Sequence, residues 1–407
     1  MNPVSSTVTS SMSFSKSEKF VLFILAFIQF SHIVDFMILM PLGPQLMRLF
    51  EIGPDRFGLL VSSYTFSAGI TGLLSALIID RFDRKTSLLF FYVGFCLGTL
   101  ACALAWDYWT LLGARVIAGA FGGVLGSLVL SIVSDLINYE RRGSAMGIVM
   151  TAFSLASVFG VPFSLYLANH YQWRAPFLFL AILSFLLIFL LLKFVPSMKG
   201  HLHNNQRKPF EAITMVLSNP NQIKALSFIS LLVFGQFVII PFVSPSLVAN
   251  AGLTEAQLPL IYLTGGFCSI LTNPLVGRMS DRFGKHWVFS IAVLLSLLPI
   301  WLITNLGPQS LGVILFLVAF FFVSMGGRMI PAMALVSNTA PAQQRGSFMS
   351  LISSVQQFSS ALAALVAGHI VIRDSAGHLR NYSHAGYLAL LFSLIAIYLA
   401  WQVRSDI

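Results

Sequence analysis

The sequence predicts an all-α integral membrane protein, with twelve transmembrane helices in two pseudo-symmetric six-helix bundles. Three observations carry this. Hydrophobic residues make up 57% of the 407 positions and Asp, Glu, Lys and Arg only 9%, against about 25% charged residues in an ordinary soluble domain. The apolar residues gather into twelve runs, each near the ~20 residues that cross a bilayer as a helix. A charged turn is also repeated at half the chain length. Asp80-Arg81-Phe82-Asp83-Arg84-Lys85 follows the second run, and Asp281-Arg282-Phe283-Gly284-Lys285-His286 follows the eighth, 201 positions later.

The first run, 20–42, exceeds a signal-peptide core and lacks a clear cleavage pattern, so it reads as span 1 behind a disordered Ser/Thr-rich tail over 1–19. Runs 56–79, 86–106, 108–135, 144–168 and 174–195 complete a first bundle over 20–195. The longest polar interval, 196–222, follows as a linker. In it Phe210, Ile213 and Leu217 recur at helical spacing before an Asn219-Pro220 stop, so a short amphipathic helix is expected on the inner membrane face. Runs 223–248, 256–280, 287–305, 309–336, 346–372 and 384–403 form the second bundle over 223–403, leaving 404–407 as a tail. Runs this long, rich in Gly and Pro, exclude the alternating strands of an outer-membrane barrel.

The net charge of +10 reports topology rather than nucleic-acid binding. With the N-terminus inside, 17 of the 24 Lys and Arg fall on the cytoplasmic side, five outside, and two, Arg115 and Arg328, within spans. This is the positive-inside bias, and it places both termini in the cytoplasm of a cell whose inner (plasma) membrane holds the chain. Cys96, Cys102 and Cys268 lie in spans and make no disulfide framework. His369, His378 and His384 fit no zinc spacing, so no metal is expected. The chain has no phosphate-binding Gly-rich loop ending in Lys-Ser/Thr and no nucleophile motif, which argues against ATP-driven pumping and against an enzyme. No cofactor is called for, and a monomer is expected.

The halves align at a nearly constant offset. Asp80 matches Asp281, Arg142-Gly143-Ser144 matches Arg345-Gly346-Ser347, and Pro44-x-Leu46 matches Pro245-x-Leu247, which puts Asp35 opposite Gln236. With Gly277 ahead of it, the second charged turn reads Gly-x-x-x-Asp-Arg-x-Gly-Lys-His, and the chain resembles a major facilitator superfamily transporter over nearly its whole length. The first copy departs, with Ala76 for the leading Gly and Asp83 for the internal one. Arg115-Val116-Ile117-Ala118-Gly119-Ala120-Phe121-Gly122-Gly123 is similar to that family's span 4 motif, and Asp35 with Pro41 in span 1 is similar to the acidic motif of its drug and metabolite proton antiporters. Gly160-Val161-Pro162-Phe163 followed by Trp173-Arg174-x-Pro176-Phe177 resembles the branch of arabinose-type sugar and purine-nucleoside efflux permeases. Phe163-Ser164 stands where that branch commonly has Leu-Gly.

Asp35 is the acid deepest inside a span. A carboxylate in lipid costs at least ~2.5 kcal/mol, so it faces a cavity, pairs or takes up a proton. Counting residues from the span ends puts Asp35 ~22 Å from the inner face and Arg115 ~10 Å from the outer, at one depth across a ~30 Å core. The expectation is a state-dependent Asp35–Arg115 pair that couples protons, the plainer reading being a permanent salt bridge between spans 1 and 4. His32, one turn before Asp35, is a candidate relay or a helix-to-helix hydrogen bond. Arg328, Gln236, Tyr64, Tyr262, Asn273, Gln356 and Gln357 are candidate substrate ligands, with helix joining as the default for such polar residues. Asp80, Arg81, Arg84, Asp135, Gly277, Asp281 and Arg282 are candidates for an inner gate. There Asp80 and Asp281 face helix N-termini and Asp135 is the partner for the arginines; topology anchoring by charge is the alternative. Together these features imply alternating-access export of a small organic molecule (drug, sugar or nucleoside-like metabolite) by proton antiport. A proton-coupled importer and a lipid-translocating protein of the same fold are the alternatives.

Overall fold

The computed structural model describes residues 14–199, 216, 218–340 and 345–403, the side chains of 76, 80, 139, 140 and 345–347 excepted. Among the described residues, twelve helical segments are long and apolar enough to cross a membrane. Spans 1–6 are Lys16–Ile38, Pro54–Ile78, Arg84–Leu104, Tyr108–Leu136, the composite 139–170 and Ala175–Phe194. Spans 7–12 are the composite 220–249, Leu258–Phe283, Lys285–Thr304, Leu311–Ser337, Arg345–Ile370 and Tyr382–Gln402. The expected linker helix with Phe210, Ile213 and Leu217 lies outside the described residues, as does the 404–407 tail.

Span 1 starts at Lys16, inside the stretch read as a disordered tail. Ser15 Oγ accepts from the Glu18 N–H at 3.1 Å and Glu18 Oε2 accepts from the Ser15 N–H at 2.8 Å, a capping box that satisfies two donors at once. The span also ends earlier than the apolar run. Pro41 has no N–H to continue the ladder, so the chain turns after Ile38 and re-forms as a short helix, Gly43–Leu49. Span 7 repeats the device: Pro220–Phe237 breaks ahead of Pro241 and resumes as Ile240–Ala249. Span 5 widens into a π turn, Ala156–Gly160, between Tyr139–Leu155 and Val161–His170. Pro162 lacks the N–H that would bond to the Val158 carbonyl, and the wider turn absorbs the gap.

The two bundles are fused at one end and parted at the other. Ile38, Leu46 and Phe57 from the first half share a buried cluster with Val238, Phe242 and Ala364 from the second. Toward the end that carries Ser15 and Val403, the buried cores separate. Val21, Leu88, Val129 and Leu187 form a first-half cluster, and Ile229, Phe289, Val336 and Ala396 a second-half one. Two seams close the sides. A Cβ on Gly58 of span 2 would lie 2.6 Å from the Ala364 carbonyl and 3.0 Å from Gly368 Cα in span 11, and one on Gly266 of span 8 would lie 3.2 Å from the Ser157 carbonyl in the π turn. Within the first bundle Gly119 and Gly123 let span 4 touch span 2. A Cβ on Gly123 would lie 2.5 Å from Ala68 Cβ, and one on Gly119 would strike the Tyr64 backbone. Small residues are the means by which helices approach where water-driven burial is absent.

Candidate functional site

Span 1 and span 4 bring Asp35 and Arg115 together at mid-depth. Arg115 Nη1 donates to Asp35 Oδ2 at 2.8 Å and to the Asp35 backbone carbonyl at 3.3 Å, and Thr99 of span 3 donates to Oδ1 at 3.2 Å. Both charges are buried, at 0% and 1% exposure. Separating two such charges inside a membrane leaves each uncompensated, so a trigger that neutralises one of them is needed to open the pair. The contact continues across the bundle interface. The Arg115 guanidinium lies 4.4 Å above the Tyr64 ring, Tyr64 packs on Phe36 at 5.5 Å, and Phe36 packs on Phe237 of the second half at 6.0 Å. The ion pair therefore touches, through two rings, the residue next to Gln236.

Below the pair, toward the parted end, Gln29 and His32 line the same face of span 1 as Asp35. Gln29 Oε1 and His32 Nε2 are buried without a partner among the described residues, and each lies 3.9 Å from where a Gly126 Cβ would be. The Tyr64 hydroxyl is likewise unpartnered. Polar atoms buried this way are rare unless water or a ligand meets them.

In the second bundle Arg328 is fully buried and its Nη1 donates to Ser393 Oγ at 3.0 Å. Gln236 Oε1 and Asn273 Oδ1 are buried and unpartnered among the described residues. Tyr262 and Gln356 are otherwise engaged. The Tyr262 hydroxyl lies 2.9 Å from Ser244 Oγ in span 7, and Gln356 Nε2 lies 3.5 Å from Met333 Sδ in span 10, so both join helices. Gln357 is half-buried on span 11.

At the parted end Arg84 Nε donates to Asp135 Oδ2 at 3.1 Å. Arg81, Asp281 and Arg282 are exposed at helix ends, and a Cβ on Gly277 would meet open space. The Asp80 side chain lies outside the described residues; Asp83 caps span 3, accepting from the Thr86 N–H at 3.3 Å. The same carboxylate accepts from the Met198 N–H at 2.5 Å and so ties the end of span 6 to the turn. This gives the departure from the family motif a structural role. Burial pushes the Asp83 carboxyl up, but the Met198 and Thr86 donors outweigh it and hold it below the usual carboxylate value of 3.8. Asp83→Ala is expected to cost about 0.5–2 kcal/mol at pH 7, the range of a lost cap. A carboxyl held low stabilises the fold above its ordinary value and loses that effect as pH falls through its folded one. The gap between wild type and variant in thermal unfolding should therefore close below pH 3.8.

The fused end holds contacts that the sequence reading did not name. Arg48 of the short helix forks onto Glu255 ahead of span 8 at 2.5 and 3.1 Å, Asn169 Nδ2 donates to the Glu255 carbonyl at 3.1 Å, and Gln45 Nε2 donates to Asn169 Oδ1 at 2.7 Å. These residues border a cavity of about 910 Å³ that also contacts Trp106, Trp173 and Arg174. Arg48 is 65% exposed, so the pair is worth up to about 1 kcal/mol. Glu255→Gln should raise the fraction open at this end by up to about fivefold, read as a longer distance between spin labels at the exposed positions Gln172 and Ser310. An unchanged distance distribution would deny the latch any conformational role.

Helix order, seams and the central pair define a twelve-span helical bundle protein of the membrane. The sequence model for the Major Facilitator Superfamily matches residues 25–252 and 225–406; the chain belongs to that superfamily of membrane transporters. The uncharacterized MFS-type transporter YceJ of Bacillus subtilis (strain 168) is 24% identical over 88% of this chain and 90% of its own length. A probable sugar efflux transporter of Helicobacter acinonychis (strain Sheeba) is 22% identical over 62% of this chain and 63% of its own length. The fold is also that of a bacterial homolog of the human lysosomal transporter Spinster in an inward-facing, occupied conformation, at TM-score 0.76 and 14% identity over 96% of this chain and 97% of that one. The xylose transporter XylE from E. coli, partially occluded and inward open, matches at TM-score 0.74 and 15% identity over 96% and 99%.

Proposed function

We propose that the protein exports a small polar organic molecule in exchange for protons, with the Asp35–Arg115 pair as the coupling switch. The observation that carries this is the fully buried 2.8 Å ion pair joined through Tyr64 and Phe36 to Phe237 across the interface. The basic end is cytoplasmic by the distribution of Lys and Arg, so the bundles part toward the cytoplasm and Gln29 and His32 lead from Asp35 to that side. An ionised, paired Asp35 belongs to the state that has released its proton inward. A proton arriving from outside neutralises the carboxylate, Arg115 loses its charged partner, and the rings beneath it re-pack the interface. Packed seams at Gly58–Ala364 and Gly266–Ser157 support a polar solute over a lipid entering sideways. Efflux and sugar-like cargo are supported by the Helicobacter acinonychis relative, named as a probable sugar efflux transporter.

A thermal-shift panel of sugars, nucleosides and organic acids at two pH values would select the cargo. Proton-gradient-driven flux in liposomes and inside-out vesicles would then set the direction. Asp35→Asn should lower gradient-driven flux at least a hundredfold while cargo binding persists. Unchanged coupling in well-folded Asp35→Asn protein would sink the proposal.

A further inference from the structure

We infer that the second bundle holds a carboxylate-binding site centred on Arg328, so that the cargo is a small hydroxylated organic acid. This rests on the transporter reading above and narrows it. Arg328 has 0% exposure, and only its Nη1 is engaged, to Ser393 Oγ at 3.0 Å. Nε and Nη2 have no partner among the described residues. Those two N–H groups lie on one edge of the guanidinium and point the same way, the edge that grips both oxygens of a carboxylate. The protein side has therefore bound the far nitrogen and left the fork empty.

No acid of the second half can fill it within the spans. Glu255 and Asp281 stand at helix ends, Asp374 lies in the loop before span 12, and Glu211 and Asp406 lie beyond the spans. Asp35, the mid-depth acid of the first half, is taken by Arg115. An ionisable group inside a membrane without a counter-ion marks a functional site by default. The fold does not need a cation there, since the repeat partner of Arg328 at offset 203 is Leu125, a fully buried apolar residue.

The surroundings suit the rest of such a molecule. Ser393 lies against Gly235, the residue before Gln236, and Asn273 lies against Gly326, two positions before Arg328. Gln236 and Asn273 thus sit on spans 7 and 8, which pack against the span that carries Arg328, and their amide oxygens, unpartnered among the described residues, can accept from the hydroxyl groups of a bound molecule. One guanidinium matches one carboxylate; a phosphate dianion would call for a second cation, and the spans of the second half contain no other at this depth.

The test uses the full-length protein in nanodiscs. Threonate, xylonate and gluconate are titrated against the matching alcohols threitol, xylitol and glucitol, with affinity read by calorimetry. At least one acid is expected to bind tenfold or more tightly than its alcohol. Arg328→Gln should erase that preference, and Arg328→Lys should keep part of it, because an ammonium supplies charge without the fork. Equal affinity for acid and alcohol, no response to any acid, or a preference that survives Arg328→Gln would each overturn the site. The wild-type comparison holds even if a variant fails to fold. The exporter reading fails separately: proton-driven flux of a neutral sugar that ignores Arg328→Gln removes the carboxylate site alone, whereas acid binding without any proton coupling removes the antiport mechanism alone.

Discussion

Asp35→Asn is expected to destabilise the protein by roughly 3–5 kcal/mol as well as to uncouple it, because it strands a fully buried guanidinium. The opposite single change should cost less. In Arg115→Gln the isolated carboxylate can bind a proton and shed its charge, whereas a guanidinium has no such escape. The double variant Asp35→Asn/Arg115→Gln removes both charges and should recover most of the stability, since a neutral replacement of a buried pair is often harmless to the fold. It should not recover coupling. Thermal unfolding of the four proteins, with proton uptake measured on the same preparations, separates the two roles. A double variant that regains proton-driven flux would show that the pair is only a fastener between spans 1 and 4.

Gly58→Val is expected to push the conformational equilibrium toward opening at the fused end by roughly fivefold to a hundredfold, the equivalent of 1–3 kcal/mol of overpacking. The new methyls would meet the Ala364 carbonyl and Gly368 across the seam between halves, a contact that opening of this end would relieve. Gly98→Val is the control. Its clash with the Ala118 backbone lies between spans 3 and 4 inside the first bundle, so it burdens every state alike and should lower the unfolding temperature without moving the equilibrium. Spin-label distances across the fused end distinguish the outcomes. If Gly58→Val behaved as Gly98→Val does, the span 2–span 11 seam would be a static contact and not a moving one.

The legible part of the site was local or repeated. Asp35 and Arg115 stood out because charge is costly in lipid, and counting 1.5 Å per residue from each span end placed them level. The Arg84–Asp135 contact followed from the charged turn facing the end of span 4. Asp83 was visible as an oddity, but its grip on Met198 depends on where span 6 ends. Tyr262 and Gln356 read as ligands because polarity in a span is the same signal whether the group serves a cargo or a neighbouring helix. Pro41 was legible as part of a span 1 motif, though not as the point where span 1 parts from the helix carrying Arg48.

Composition, run length and the repeated turn determined by themselves that this chain crosses a membrane twelve times in two related halves, since a backbone in lipid has few ways to satisfy its hydrogen bonds. Tertiary structure alone decided which end is shut. The Arg48–Glu255 latch joins residues 207 apart in sequence, and the Arg328 fork is defined by the fact that none of the described residues reaches it. Both depend on how one bundle leans on the other, which packing at glycine seams sets and local sequence pattern does not encode.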